Sequence, residues 1–177
     1  YMSGNMDEAP WDIALLPNGR ILVLGYSDDG ENEEYPWIAR LKANGELDKS
    51  FGTSGVKVID TKGYYHDLRD IAIQPDGKIL INGSLNRGFA IYRMDSLGVM
   101  DQSFGTGGLT NINFCSMDAA QEIAVSKSGK IAAVGYSCEF NAEFIIALFN
   151  PDGSLDLNFN GTGYFTSAFN KAFRVFQ

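Results

Sequence analysis

Short apolar runs joined by glycine-ended turns recur three times along the 177 residues. Asp12-Ile13-Ala14-Leu15-Leu16 leads through Pro17-Asn18-Gly19 into Arg20-Ile21-Leu22-Val23-Leu24-Gly25-Tyr26. Asp70-Ile71-Ala72-Ile73-Gln74 leads through Pro75-Asp76-Gly77 into Lys78-Ile79-Leu80-Ile81-Asn82-Gly83. Glu122-Ile123-Ala124-Val125 leads through Lys127-Ser128-Gly129 into Lys130-Ile131-Ala132-Ala133-Val134-Gly135. Runs of this length, rich in β-branched residues and joined by a turn that needs positive φ, predict a β-hairpin each time. After a variable loop, a third strand is predicted over Trp37 to Lys42, Phe89 to Asp95 and Phe144 to Asn150. A fourth is predicted over Val56 to Asp60, Leu109 to Phe114 and Tyr164 to Phe169. No segment carries a helical period.

Between third and fourth strands lies a repeated stretch. Its copies start at Gly45, Gly98 and Gly153, place Asp48, Asp101 and Asp156 three positions on, and follow with Phe51, Phe104 and Phe159. Self-similarity every ~55 residues is the mark of a repeat architecture. Four antiparallel strands per repeat make the unit of a β-propeller blade, with a β-solenoid as the alternative. The expected fold is all-β and propeller-like, with three four-stranded antiparallel blades. Residues 1–11 are a lead-in, 12–69 blade 1, 70–121 blade 2 and 122–177 blade 3 of one domain.

The run from Ile71 through Pro75-Asp76-Gly77-Lys78, with Gly83, Arg93 and the stretch from Gly98 to Gly108, resembles the delta-60 repeat, a bacterial family of predicted propeller repeats. The resemblance covers nearly the whole chain. It implies no catalytic activity, and it implies a surface or secreted setting in a bacterium. The third copy departs from the others: Leu148 stands where they have Arg40 and Arg93, and Asn160 where they have Gly52 and Gly105.

Composition refines this picture. Hydrophobic residues are 45% and charged residues 20%, so a packed core is expected. A net charge of −8 repels nucleic acid and anionic lipid, and no apolar run is long enough to span a membrane as a helix. The start, Tyr1-Met2-Ser3-Gly4-Asn5, lacks an initiator or signal-peptide pattern and reads as the start of a segment cut from a longer protein. Cys115 and Cys138 both fall on the variable side of the repeats, where a disulfide between them or two separate thiols are both open readings. Three blades fall short of the roughly four to eight of closed propellers. Either the segment belongs to a longer propeller or copies assemble, and of the two a homo-oligomer, a dimer or a trimer, is the favoured expectation.

The hairpin turns and Asp-Phe-Gly stretches belong to one end of the blades, and the variable loops to the other. Variable loops on a rigid scaffold are where binding usually resides. Candidate ligand contacts at that end are Glu33, Tyr35, Trp37, Tyr64, Tyr65, His66 and Phe140, since aromatic faces and carboxylates together suit sugars. A solvated acidic loop is the plainer reading. His66 is the only histidine and is expected at the surface; it has no second histidine for a metal site and no nucleophile in a recognisable motif. Asp156, Asn158 and Asn160 match the opening of a calcium loop, but Ser167 occupies the position of the bidentate Glu. The simpler reading has each repeated Asp capping a turn. No cofactor is expected. The leading expectation is a non-enzymatic binding or adhesion module for a surface glycan or protein. A ligand-free oligomerisation module is the alternative, and a propeller hydrolase or lyase follows it.

Overall fold

The computed structural model describes residues 7–28, 34–61, 64, 66–114, 118–137 and 143–167. Among them are twelve strands and no helix. β1 (Asp7–Leu15), β2 (Ile21–Asp28), β3 (Glu34–Leu41) and β4 (Val56–Val58) form the first sheet. β5 (His66–Ile73), β6 (Ile79–Leu85), β7 (Gly88–Met94) and β8 (Leu109–Ile112) form the second. β9 (Asp118–Val125), β10 (Ile131–Ser137), β11 (Glu143–Phe149) and β12 (Tyr164–Ser167) form the third. Each sheet is antiparallel and in simple sequence order, so each is one up-and-down blade.

The innermost strands begin earlier than the apolar runs predict. β1 reaches back to Asp7, into the expected lead-in, and β5 and β9 begin at His66 and Asp118, ahead of the expected blade starts at 70 and 122. The cause is a bulge at the same place in every blade, between Pro10 and Asp12, between Leu68 and Asp70, and opposite Val134/Gly135. One extra residue resets the two-residue alternation, so the first half of the strand is out of phase with the second. A glycine faces each bulge. A Cβ on Gly25 would lie 2.6 Å from the Ala9 carbonyl oxygen, and one on Gly135 only 1.9 Å from that of Ala119. The fourth strands are short, three or four residues, and residues 168 and 169 of the last predicted strand lie outside the described residues.

Two apolar cores lie between blades, not within a single sheet. Leu22, Leu24, Ile38 and Phe51 of blade 1 pack on Leu68, Ile79, Ile81 and Tyr92 of blade 2. Leu80, Phe89, Ile91 and Phe104 of blade 2 pack on Ile123, Ile131, Ile145 and Phe149 of blade 3. Alternate residues of a middle strand therefore serve opposite cores, which is why β6 and β7 are buried at every position.

Polar groups register one blade on the next. Arg40 bonds Asp48 through Nε (2.9 Å), bonds Ser50 Oγ, lies over the Phe51 ring at 4.8 Å, and donates from Nη1 to the Ser96 carbonyl of blade 2. Arg93 repeats the set with Asp101, Ser103, Phe104 and the Pro151 carbonyl of blade 3. The Gly52 N–H donates to Leu97 O and the Gly105 N–H to Asp152 O, both at 2.8 Å. Nearer the inner edge, Asp12 accepts from the Ile71 N–H and Asp70 from the Ile123 N–H, again both at 2.8 Å.

Candidate functional site

The β2–β3 and β4–β5 connections leave the scaffold at one end, opposite the hairpin turns and the Asp-Phe-Gly stretches. Of the expected contact residues, Glu33, Tyr65 and Phe140 lie outside the described residues, as do Cys115 and Cys138. Tyr64 is there, half exposed at 50%. Its N–H donates to Thr61 O at 3.0 Å, and Thr61 is buried, so the backbone under the ring is anchored. Tyr35 sits one residue into β3 at the same end, part-buried.

Two expectations need correction. His66 is buried, 6% exposed, and not at the surface. Its Nε2 lies 2.9 Å from the Glu34 carbonyl oxygen, which ties the first residue of β5 to the first residue of β3. A blade-joining role explains it: the residue faces the neighbouring sheet, where an imidazole supplies both an apolar ring and one polar tip. Trp37 is not at the loop end either. It pairs with Gly25 in mid-strand, and its ring covers that glycine at 2.7 Å from where a Cβ would stand. It belongs to the outer face of blade 1.

The calcium reading does not fit the chemistry at Asp156. The Lys130 ammonium pairs with Asp156 Oδ2, while Oδ1 accepts from the Asn158 N–H (3.3 Å) and from its amide Nδ2 (3.2 Å). The Asn160 amide donates to the Tyr164 carbonyl. Donors and a cation surround the carboxylate where a metal would need oxygen acceptors. Asp48 and Asp101 make the same turn, each accepting from the N–H and hydroxyl of Ser50 or Ser103. Those hydroxyl bonds, before any nearby cation, hold the Asp48 and Asp101 carboxyls below their ordinary range; at Asp156 the Lys130 bond does so. No group of three or more His, Cys, Asp or Glu that could hold a metal ion occurs among the described residues.

Two grooves open at the opposite, repeated end. One of about 760 Å³ spans the hairpin turns of all three blades, past Leu15, Asn18, Arg20, Gln74, Leu97 and Lys127. The other, about 520 Å³, runs between the blade 2 and blade 3 turns, past Asp76, Lys78, Lys127 and Asp152. Each holds an engaged cation: Arg20 with Asp48 (3.0 Å) and Lys78 with Asp101 (3.1 Å).

Asp12, Asp70 and Glu122, which open the apolar runs in the sequence but carried no role there, occupy the same position after the bulge in all three innermost strands. Asp12 and Asp70 use their carboxylates on backbone amides of the next blade, so the series reads first as a joint between blades.

No curated protein matches the chain. A family model described as a domain of unknown function (DUF5122) β-propeller matches three segments, residues 16–51, 74–104 and 127–159. Each match starts at a hairpin turn and ends on the phenylalanine of the repeated stretch, so the model and the blades share one period. Together the segments cover more than half of the sequence, and the chain belongs to the DUF5122 β-propeller family.

Proposed function

We propose that the chain is a non-enzymatic binding module of a bacterial surface or secreted protein, taking a glycan or protein ligand at the variable-loop end. The observation that supports this is the His66–Glu34 tie. It fixes the starts of β3 and β5 side by side, so the β2–β3 and β4–β5 connections emerge next to each other from a rigid support. Tyr64 stands half exposed in the second of them, with Tyr35 at the foot of the first. An aromatic ring with a hydroxyl tip stacks on sugar CH faces or fills a protein pocket at little entropic cost. The surface setting rests on the delta-60 resemblance.

The test is a glycan array together with a pull-down from bacterial and host surface extracts, repeated with Tyr64→Ala and Tyr35→Ala. A ligand whose affinity falls about tenfold or more in those variants is the expected result. No captured ligand, or one indifferent to both substitutions, would favour the second reading: a structural propeller module whose work is assembly. The apolar outer faces of blades 1 and 3 favour that reading.

A further inference from the structure

The joint between blades 2 and 3 departs from the joint between blades 1 and 2 at two neighbouring places, and both lie on one groove. Leu16, Gln74 and Ser126 are equivalent residues: each donates its N–H to the carbonyl four residues on, of Arg20, Lys78 and Lys130, and accepts from the turn glycine. Leu16 packs on the core of the first joint. Gln74 takes that place in the second, 5% exposed, and its Oε1 has no hydrogen-bond partner. Its Nε2 reaches only the Gly129 carbonyl at 3.5 Å, the outer limit of a hydrogen bond. A buried acceptor left in this state costs stability that a leucine would not. One residue on, Lys127 stands where the other turns have Pro17 and Pro75. It is exposed, and its ammonium has no ion-pair partner among the described residues.

The groove of about 520 Å³ has Gln74, Asp76 and Lys78 of blade 2 on one wall and Lys127, Pro151 and Asp152 of blade 3 on the other. Both walls belong to an internal joint, and the volume suits a small molecule. Most charges on it are matched. Lys78 pairs with Asp76 (3.3 Å) and Asp101 (3.1 Å), and Arg93 pairs with Asp101 (2.9 Å). Three groups keep unmet capacity. Lys127 offers a cation and Gln74 an acceptor. Asp152 offers an anion: its Oδ1 accepts from the Ser154 N–H (2.9 Å) and hydroxyl (2.6 Å), and no cation pairs with it among the described residues. The Ser154 hydroxyl holds the Asp152 carboxyl below its ordinary range, so it stays charged.

We propose that this groove binds a free aliphatic amino acid, with its carboxylate on Lys127 and its ammonium on Asp152 and Gln74 Oε1. A simple anion would meet Asp76 and Asp152, and a simple cation would meet Lys78 and Lys127; a zwitterion matches both signs. An ammonium carries three N–H donors, so it serves the Gln74 oxygen and the Asp152 carboxylate together. Turning the Gln74 oxygen into the groove gives up only the 3.5 Å contact to Gly129. The rings of Pro75 and Pro151 supply apolar surface for the side chain. The site lies at the turn end and rests on nothing at the variable loops.

Titration of the 177-residue chain with L-valine, followed by NMR amide shifts, tests this. Saturable shifts are expected at Ser128, Gly129 and Asp152. N-acetyl-L-valine lacks the ammonium and L-valinamide lacks the carboxylate, so each should bind at least about tenfold more weakly. Lys127→Gln and Gln74→Leu should each weaken valine by about tenfold or more. Gln74→Leu copies the first joint, so it should melt no lower than the parent; a lower melt with valine binding intact would mark Gln74 as a structural tie to Gly129 and overturn its role here. Asp152→Asn keeps the Oδ1 acceptor for Ser154 and repeats the test if Gln74→Leu does not fold. No shift with valine up to about 10 mM overturns the proposal. So do equal binding of all three compounds, valine binding unchanged in either Lys127→Gln or Gln74→Leu, or shifts confined to the variable-loop end.

Discussion

Asp70 stands where two blades meet with more carboxylate oxygens than amide donors. The Ile71 N–H faces Asp12 Oδ2 and Asp70 Oδ1, both at 2.8 Å. Burial, followed by the hydrogen bond and charge of Asp12 and the charge of Glu122, raises the Asp70 carboxyl from 3.8 to about 6; the Ile123 N–H pulls the other way. Between those values the folded chain holds a proton that the unfolded chain has released. The Asp70 contribution is therefore complete below about pH 4 and fades as pH rises to about 6. Asp48, Asp101 and Asp156 have the opposite sign: their contributions are present above the ordinary carboxylate range and fade on acidification. Asp70→Asn should flatten the decline between about pH 4 and 6 and leave the acid limb intact, read from thermal melts across pH. Asn82 offers a second residue-scale prediction. It is fully buried, and neither side-chain polar atom has a partner among the described residues. Leu24 and Val134 fill the matching sites of the other blades. Asn82→Leu should raise stability by about 1 kcal/mol, measured by urea denaturation, since an apolar side chain takes the place of an unmet amide.

Each element depends on a few residues that sequence periodicity does not reveal. The hairpins were legible because Gly19, Gly77 and Gly129 close turns at φ near 80°. The Asp caps were legible because their serines follow at a fixed spacing. The bulge was not, because the inserted residues, Trp11, Arg69 and Gln121, share no chemistry that marks an insertion. Gly135→Ala would drive a methyl into the Ala119 carbonyl and should lower Tm by about 5 °C or more, seen by calorimetry. Arg93 was visible as a repeated letter, while its reach to the Pro151 carbonyl of the next blade was not. Arg93→Lys keeps the charge but loses the planar fork that serves Asp101, Ser103 and Pro151 together. Its melting temperature should fall nearly as far as that of Arg93→Leu, which would separate geometry from charge.

At the scale of the molecule, the described blades pack on their sequence neighbours, so stability is a sum over blades and joints. The same view explains the partial legibility of the candidate site. Tyr64 could be placed at the loop end from strand alternation alone, whereas the burial of His66 depends on a neighbouring sheet 32 residues away in sequence.

The sequence by itself determined the local rules: hairpins, turn chemistry, the Asp cap, the phenylalanine after it, and the number of blades. These are set by φ preferences and by hydrogen bonds spanning two to four residues, so one short stretch of chain contains both partners. The tertiary structure decided which face of each strand meets which neighbour. It showed that each repeated stretch serves the joint between blades, the glycine of one copy meeting the phenylalanine of the copy before it. That pairing joins residues about fifty positions apart through packing alone, and only folding brings them together.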